Sequence, residues 1–172
     1  MKTKSICLVL MTVLLAACGM NATLKTDTDK VASAAAAIAD FDLPAGYSPE
    51  FSASLGDYAL VSYTPGDGHS HLYLIQSQVA ADADKLAQAM KDIVPGASDP
   101  EFRMTVLETR PITVRGQETT LIISEGITEE GETYRQVMAA FQGKGGPALL
   151  VLSEPVTRWN QETVETFIAS IR

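Results

Sequence analysis

The chain has 172 residues with 21 acidic and 13 basic side chains, a formal net charge of −8. This acidic balance argues against binding to nucleic acids, which requires a concentrated basic surface, and against electrostatic attachment to anionic lipids. The two cysteines, Cys7 and Cys18, lie near the start of the chain. The sequence beyond residue 18 therefore excludes a disulfide, a cysteine nucleophile and a cysteine-based metal site.

The first 17 residues have the order of a secretory signal peptide. Lys2 and Lys4 supply a basic start, and an apolar run then leads to small alanines at positions 16 and 17. A positive start, an apolar centre and small residues at the cleavage site define such signals. The apolar run has about a dozen residues, whereas a membrane-spanning helix needs about 20. We therefore expect an export signal over 1–17 and not a permanent transmembrane helix.

The segment Leu15-Ala16-Ala17-Cys18 resembles the lipobox of bacterial lipoproteins. The resemblance implies that the Cys18 thiol carries a diacylglycerol, that the chain is cut before Cys18, and that the new amino group is acylated. Two or more acyl chains hold a protein stably at a membrane, whereas one does so only marginally. The body would then be exported and face the periplasm or the exterior, anchored to the cell membrane or outer membrane. The alternative is an ordinary cleaved signal with a cysteine just past the cut.

Removal of the signal leaves about 155 residues with a net charge near −10, a length suited to one domain. Residues 21–33 are small and polar, and 34–37 are alanines, which favour a helix but lack a second apolar row. The sequence thus predicts a lipidated cysteine with a flexible tether over 18–37. A single domain is predicted over 38–172.

The first half of this domain is predicted to form strands. Apolar and polar residues alternate over 38–43, which predicts a first strand, and a turn is predicted at 44–47. The segments 57–63 and 71–79 are rich in β-branched and aromatic residues and flank a cluster of turn-forming residues. This pattern predicts a hairpin.

Two amphipathic helices are predicted from hydrophobic spacing. The first covers 81–94 and is predicted to end at Pro95-Gly96. The second covers 160–171, with Asn160 as its N-cap. Five further stretches between them are predicted strands: 103–108, 112–114, 118–124, 133–142 and 148–152.

This element order predicts an α+β fold, an antiparallel sheet of about six to seven strands with two amphipathic helices packed on it. The run from Val106 to Gln117, which leads into paired long strands, and the closing helix from Phe167 to Arg172 resemble the PsbP-like fold. That fold includes small bacterial lipoproteins of the DcrB type, and the resemblance covers about Phe41 to Arg172. It implies a binding or assembly role, although a fold does not by itself supply a function.

The only histidines, His69 and His71, form the first candidate site. Residues two apart on a strand share a face, so two imidazoles could hold one metal ion, with Asp67 as the closest carboxylate. A metal site needs a further ligand. The alternative is a solvated hairpin tip, because the pair follows a glycine-rich turn.

Two weaker candidates lie in turns. The stretch around Ser70 comes close to the Gly-x-Ser-x-Gly elbow of hydrolases, but it lacks the final glycine and is followed by a predicted strand, whereas the elbow leads into a helix. A cluster of carboxylates could bind Ca²⁺ but lacks the calcium-loop pattern, and a charged hairpin end is the alternative. The cluster comprises Glu125, Glu129, Glu130 and Glu132.

A glycine-rich segment and a set of aromatic residues complete the candidates. The segment Gly143-Lys144-Gly145-Gly146 lacks the spacing and the following helix of a phosphate loop, and it predicts a turn. Aromatic residues of the predicted strands could line a ligand groove, although such residues more often belong to a core. They are Tyr47, Tyr58, Tyr63, Tyr73 and Trp159.

The sequence favours a lipid-anchored envelope protein of non-catalytic type, without cofactors, that binds a partner protein or a small ligand at the membrane surface. The alternative is a metal-dependent or serine hydrolase that uses the region of His69 and His71 with Asp67. A passive surface protein is a third hypothesis. The geometry around the histidines distinguishes the first two, since an enzyme requires a third ligand or partner within a concave site.

Overall fold

A computed structural model of the chain describes residues 22–94, 104–128 and 131–172. The predicted signal peptide, the lipidation residue Cys18 and the Pro95-Gly96 helix end lie outside these ranges, as do Glu129 and Glu130. Within them the chain forms eight strands and three helices. In this part of the chain, no helix is long and apolar enough to cross a membrane.

The chain begins with strand β1, Ala22–Lys25, and helix α1, Thr28–Ile38. The side chain of Asp27 caps α1 by accepting a hydrogen bond from the Lys30 amide at 3.2 Å. Val31, Ala35 and Ile38 are buried. Residues 22–37 therefore do not form the predicted tether, because the spacing of these three side chains gives the alanine-rich segment a helical apolar row. The strand predicted over 38–43 is also wrong, since α1 ends at Ile38 and the next strand begins at Ser48.

Three antiparallel strands follow: β2, Ser48–Leu55; β3, Tyr58–Thr64; and β4, His71–Ser77. The turn before β2 is confirmed by a hydrogen bond from the Tyr47 amide to the Pro44 carbonyl. The β3–β4 hairpin is confirmed as well, with Leu60 opposite Ile75.

Helix α2, Ala83–Ile93, confirms the predicted first amphipathic helix, and Asp82 caps it. Strand β5, Thr105–Val114, joins two stretches predicted as separate strands. Its Pro111 is tolerated because β5 lies at the edge of the sheet. The remaining elements are β6, Gln117–Ile127; β7, Thr133–Gln142; β8, Pro147–Pro155; and α3, Gln161–Ser170.

All strands join one sheet in the order β1-β2-β3-β4-β8-β7-β6-β5, and every neighbouring pair is antiparallel. The last strand, β8, lies at the centre between β4 and β7. The predicted architecture of six to seven strands with two helices, and with it the PsbP-like assignment, is wrong for the described residues, which form eight strands and three helices. The difference arises because β1, α1 and β2 lie in segments assigned to the tether or to no element.

The helices cover the sheet from both sides. Helices α1 and α3 pack on one face, through side chains such as Ile38 and Phe167; we call it the α1–α3 face. Helix α2 packs on the other, through Leu86 and Met90; we call it the α2 face. Contacts of α2 reach β3, β4 and β8. The two faces thus have separate cores.

Candidate functional site

The loop between β3 and β4 is organised by the carboxylate of Asp67. Its Oδ1 accepts hydrogen bonds from the amides of His69 and Ser70 at 2.9 and 2.8 Å. Its Oδ2 accepts the Ser70 hydroxyl at 2.8 Å and lies 3.2 Å from the guanidinium of Arg158. These contacts satisfy both carboxylate oxygens, so Asp67 holds the shape of the loop.

The same contacts set the acidity of Asp67. Partial burial on its own raises the pKa of this carboxyl, but the two amides, the Ser70 hydroxyl and the Arg158 guanidinium together lower the pKa to about 2. Hydrogen bonds to a carboxylate favour its ionised form. The Asp67 carboxyl is therefore ionised at neutral pH, and it is hydrogen-bonded to other residues of its own loop.

The two histidines make separate contacts. His69 Nδ1 lies 3.0 Å from the hydroxyl of Tyr134 and 3.7 Å from Glu132 Oε2. His71 Nδ1 lies 3.3 Å from Glu50 Oε2. The rule that residues two apart share a face does not apply, because His69 precedes the strand that begins at His71. Among the described residues, no group of three or more His, Cys, Asp and Glu could hold a metal ion.

The side chain of Ser70 does not have the geometry of a nucleophile elbow. Ser70 is fully buried and donates its hydroxyl to Asp67. The strand β4 follows it directly, where a hydrolase elbow would lead into a helix. The loop therefore brings Asp67 and Ser70 together as a structural pair, with His69 and His71 pointing to other partners.

A cluster centred on Glu50 lies at the same end of the sheet, on the α2 face. Glu50 Oε2 accepts the buried hydroxyl of Ser62 at 2.6 Å and faces His71. The ring of His71 stacks on Tyr73, with centroids 5.5 Å apart and planes at 14°. Burial, and then the Glu50 carboxylate, raise the pKa of Tyr73 to about 12, against a lowering effect of Ser62. The Tyr73 hydroxyl is therefore neutral at pH 7.

No pattern along the chain indicates the role of Glu50. It lies at a β-bulge of β2, between Pro49 and Phe51, and β2 was not predicted. A bulge redirects one side chain out of the regular alternation, and nothing in the residue types marks that position.

A second polar cluster lies at this end on the α1–α3 face. Tyr47 donates its hydroxyl to the buried Glu154 at 2.7 Å. Burial, and then this hydrogen bond, raise the pKa of Tyr47 well above its ordinary value. Arg135 pairs with Glu125 at 2.7 Å and lies over the ring of Trp159 at 5.3 Å. Glu125, one of the four carboxylates considered for calcium binding, is thus ion-paired with Arg135.

The five aromatic residues proposed for a groove are divided between the two faces. Tyr47, Tyr63 and Trp159 pack on the core of the α1–α3 face. Tyr58 and Tyr73 pack on the core of the α2 face. Because the sheet separates the two sets, these side chains do not line one common groove.

The segment from Gly143 to Gly146 is the predicted turn, and it connects β7 to β8. The Lys144 amide donates to the Ile38 carbonyl at 2.8 Å, and its ammonium pairs with Asp40 at 2.7 Å. Gly146 has a φ of 153°, and a Cβ there would collide with the Ser77 carbonyl. The turn fixes the end of α1 on the sheet.

Two shallow clefts lie in the described structure. One, of about 270 Å³, lies beside the start of α2, between Leu86 and Ala140. The other, of about 320 Å³, lies between the segment 42–45 and Phe167 of α3. Small-molecule sites usually occupy about 300–1,000 Å³, so the first cleft lies below this range and the second at its lower end.

Comparisons with known proteins do not assign a function to these residues. No family model and no curated protein matches the chain. A solved structure, described as LpqN involved in cell envelope biogenesis of Mycobacterium tuberculosis, aligns with 87% of this chain and 82% of its own. The alignment has 12% sequence identity and a TM-score of 0.38. We draw no functional argument from a likeness of this size.

Proposed function

We propose that the protein is a bacterial cell-envelope lipoprotein, held at a membrane by lipid on Cys18, whose body binds a partner without catalysing a reaction. The observation that carries the proposal is the order of the first 18 residues. A basic start and an apolar run lead to Leu15-Ala16-Ala17-Cys18, the arrangement of an export signal that ends in a lipobox.

The contacts of the candidate catalytic groups support binding over catalysis. Nucleophilic catalysis requires a base within hydrogen-bond reach of the nucleophile, with a third group to orient that base. Here the hydroxyl of Ser70 goes to Asp67, a carboxylate already occupied by two amides. The imidazole of His71 faces Glu50 on the α2 face instead.

A partner protein suits the surface better than a free small ligand. The clefts beside α2 and beside α3 have volumes of about 270 and 320 Å³. Ligand pockets bury most of a small molecule and are usually larger, whereas a protein partner can insert single side chains into shallow depressions and add contacts around them.

Membrane fractionation of cells that produce the full chain tests the anchoring. We expect the wild-type protein in the membrane pellet, and Cys18→Ser in the soluble fraction or left unprocessed. The matched control is Cys7→Ser, which removes the other cysteine and is expected to fractionate like wild type. Partners are then identified by cross-linking in detergent-solubilised membranes, with Cys18→Ser as the unanchored comparison. Recovery of the wild-type chain in the soluble fraction contradicts the proposal.

A further inference from the structure

Strands β1 and β2 form a ribbon with one polar and one apolar side. On the α1–α3 face, Thr23 lies opposite Ser54 and their hydroxyls are 2.6 Å apart. On the α2 face, Leu24 lies opposite Ala53 and Ala22 opposite Leu55, because directly paired residues share a face. Strand alternation separates the two sets.

Helix α1 covers the polar side of this ribbon, whereas most of the apolar side is left without a helix. Helix α1 packs on β2 from the serine side, and Ser52 is buried there. On the apolar side α2 reaches β3, β4 and β8, and Leu24 keeps 68% of its surface exposed. We define the Leu24 patch as the apolar side chains of this side: Ala22, Leu24, Phe51, Ala53 and Leu55. Ala22 and Leu24 are exposed, the other three are half-buried, and Phe51 packs against the edge of the α2-face core.

The Leu24 patch lies where the chain leaves the folded body. Three residues separate Cys18 from Ala22, so four residue steps join them. A chain reaches at most about 3.6 Å per residue, so Ala22 lies within about 14 Å of Cys18 in any conformation of the linker. The headgroup region on each side of a bilayer is roughly 5–8 Å thick. A lipid on Cys18 therefore holds the β1 edge next to the membrane surface.

The composition of the patch fits that surface. The molecule is strongly acidic, yet the five residues of the Leu24 patch carry no charge. The charged residue of β1, Lys25, pairs with Ser52 and lies on the other side of the ribbon. An apolar surface inserts into the headgroup boundary by burying its area. Because the tether makes this contact intramolecular, even a small patch is held there at a high effective concentration.

We propose that the Leu24 patch docks on the lipid bilayer, so that the sheet stands on the membrane by its β1 edge. This inference rests on the proposed lipidation of Cys18. It orients the molecule, since the opposite edge strand, β5, lies seven strand spacings away, or roughly 33 Å. The β5 edge and its exposed Leu107 then face away from the membrane.

Site-specific fluorescence on the lipidated protein tests this docking. An environment-sensitive probe is attached to Leu24→Cys, and Leu107→Cys is the matched control, because Leu107 is an exposed leucine of the other edge strand. Lipidation blocks the Cys18 thiol, and Cys7 leaves with the signal. In phosphatidylcholine vesicles, we expect the probe at position 24 to show a blue-shifted emission and to lose most of its fluorescence to a lipid-borne quencher. Neither change is expected for the probe at position 107.

A substitution adds a second measurement. Leu24→Asp is expected to lower the docked-to-free ratio by about tenfold or more, since it places a charge where docking would bury an apolar side chain. The protein is expected to stay in the membrane fraction. The inference is overturned if the probe at position 24 remains in water in a vesicle-bound, lipidated protein, and the proposed function then survives. Protection of position 24 that rises with protein concentration in detergent, without vesicles, indicates a second copy and also overturns it. Absence of lipid on Cys18 overturns both proposals.

Discussion

The carboxylate of Asp67 shows how one side chain can fix a loop that looks like an active site. It accepts three hydrogen bonds from His69 and Ser70 and pairs with Arg158. The glycine-rich loop that contains His69 and Ser70 is thereby fixed by the side chain of one of its own residues. Asp67 and Ser70, whose residue types suggested catalysis, instead stabilise the loop that joins β3 to β4.

This role predicts a specific pH dependence of stability. The pKa of Asp67 is about 2 in the folded protein, below its ordinary value of 3.8. The stability contributed by the ionised form is therefore present above about pH 4 and is lost as the pH falls from about 4 to 2. We expect Asp67→Asn to lower the free energy of unfolding at pH 7 by about 2 kcal/mol and to flatten its dependence on pH in that window.

Urea unfolding at several pH values measures this effect. The matched control is Glu118→Gln, which removes one negative charge at an exposed position of β6 and is expected to change the unfolding free energy by less than about 0.5 kcal/mol. Equal effects of the two substitutions at pH 7 would show that Asp67 does not hold the loop.

At the scale of elements, α1 is an integral part of the domain. Its buried side chains pack on the core of the α1–α3 face, and Lys144 holds its end through the carbonyls of Ala36 and Ile38. A segment of small residues close to the lipidation motif is therefore folded, and the body reaches to within four residues of Cys18.

Replacement of Ile38 tests whether α1 contributes to stability. Ile38 is fully buried, and truncation of a buried isoleucine to alanine usually costs about 2–5 kcal/mol. We expect Ile38→Ala to lower the unfolding free energy by this amount in a thermal or urea transition. The control Ala37→Ser alters the neighbouring exposed position of α1 and is expected to cost about 0.5 kcal/mol. A negligible effect of Ile38→Ala would instead support the predicted flexible tether over 18–37.

The elements that could be predicted from the sequence are those with a dense apolar period. The β3–β4 hairpin has large apolar side chains on both faces, and α2 has them on one, so the type of each element was clear. Helix α1 was missed because its apolar row uses an alanine between Val31 and Ile38. Strand β2 does alternate, with Phe51 and Leu55 on one side, but serines and alanine have low strand propensity.

The candidate site was predictable only in part. The residues from Asp67 to His71 were singled out, but their partners come from distant parts of the chain. Glu50 of β2 faces His71, and Arg158 of the segment after β8 pairs with Asp67. Such contacts depend on strand register and on a bulge in β2. A pattern of residue types along one segment does not contain them.

At the scale of the whole molecule, we propose an acidic sheet whose β1 edge is joined to a lipidated Cys18 by three residues. The body beyond the signal peptide has a net charge near −10, which disfavours electrostatic adhesion to anionic lipid. In the proposed arrangement, attachment therefore depends on the acyl chains and on the Leu24 patch, and the long β5 edge points away from the membrane. The proline and the bulge of that edge protect it from strand addition.

The most direct test of the central claim is the mass of the N-terminal peptide of the protein purified from membranes. The account predicts that the mature chain begins at Cys18 and that this residue carries a diacylglycerol, with a further acyl group on its amine where that acylation occurs. A chain that retains residues 1–17, or that begins at an unmodified Cys18, would contradict it.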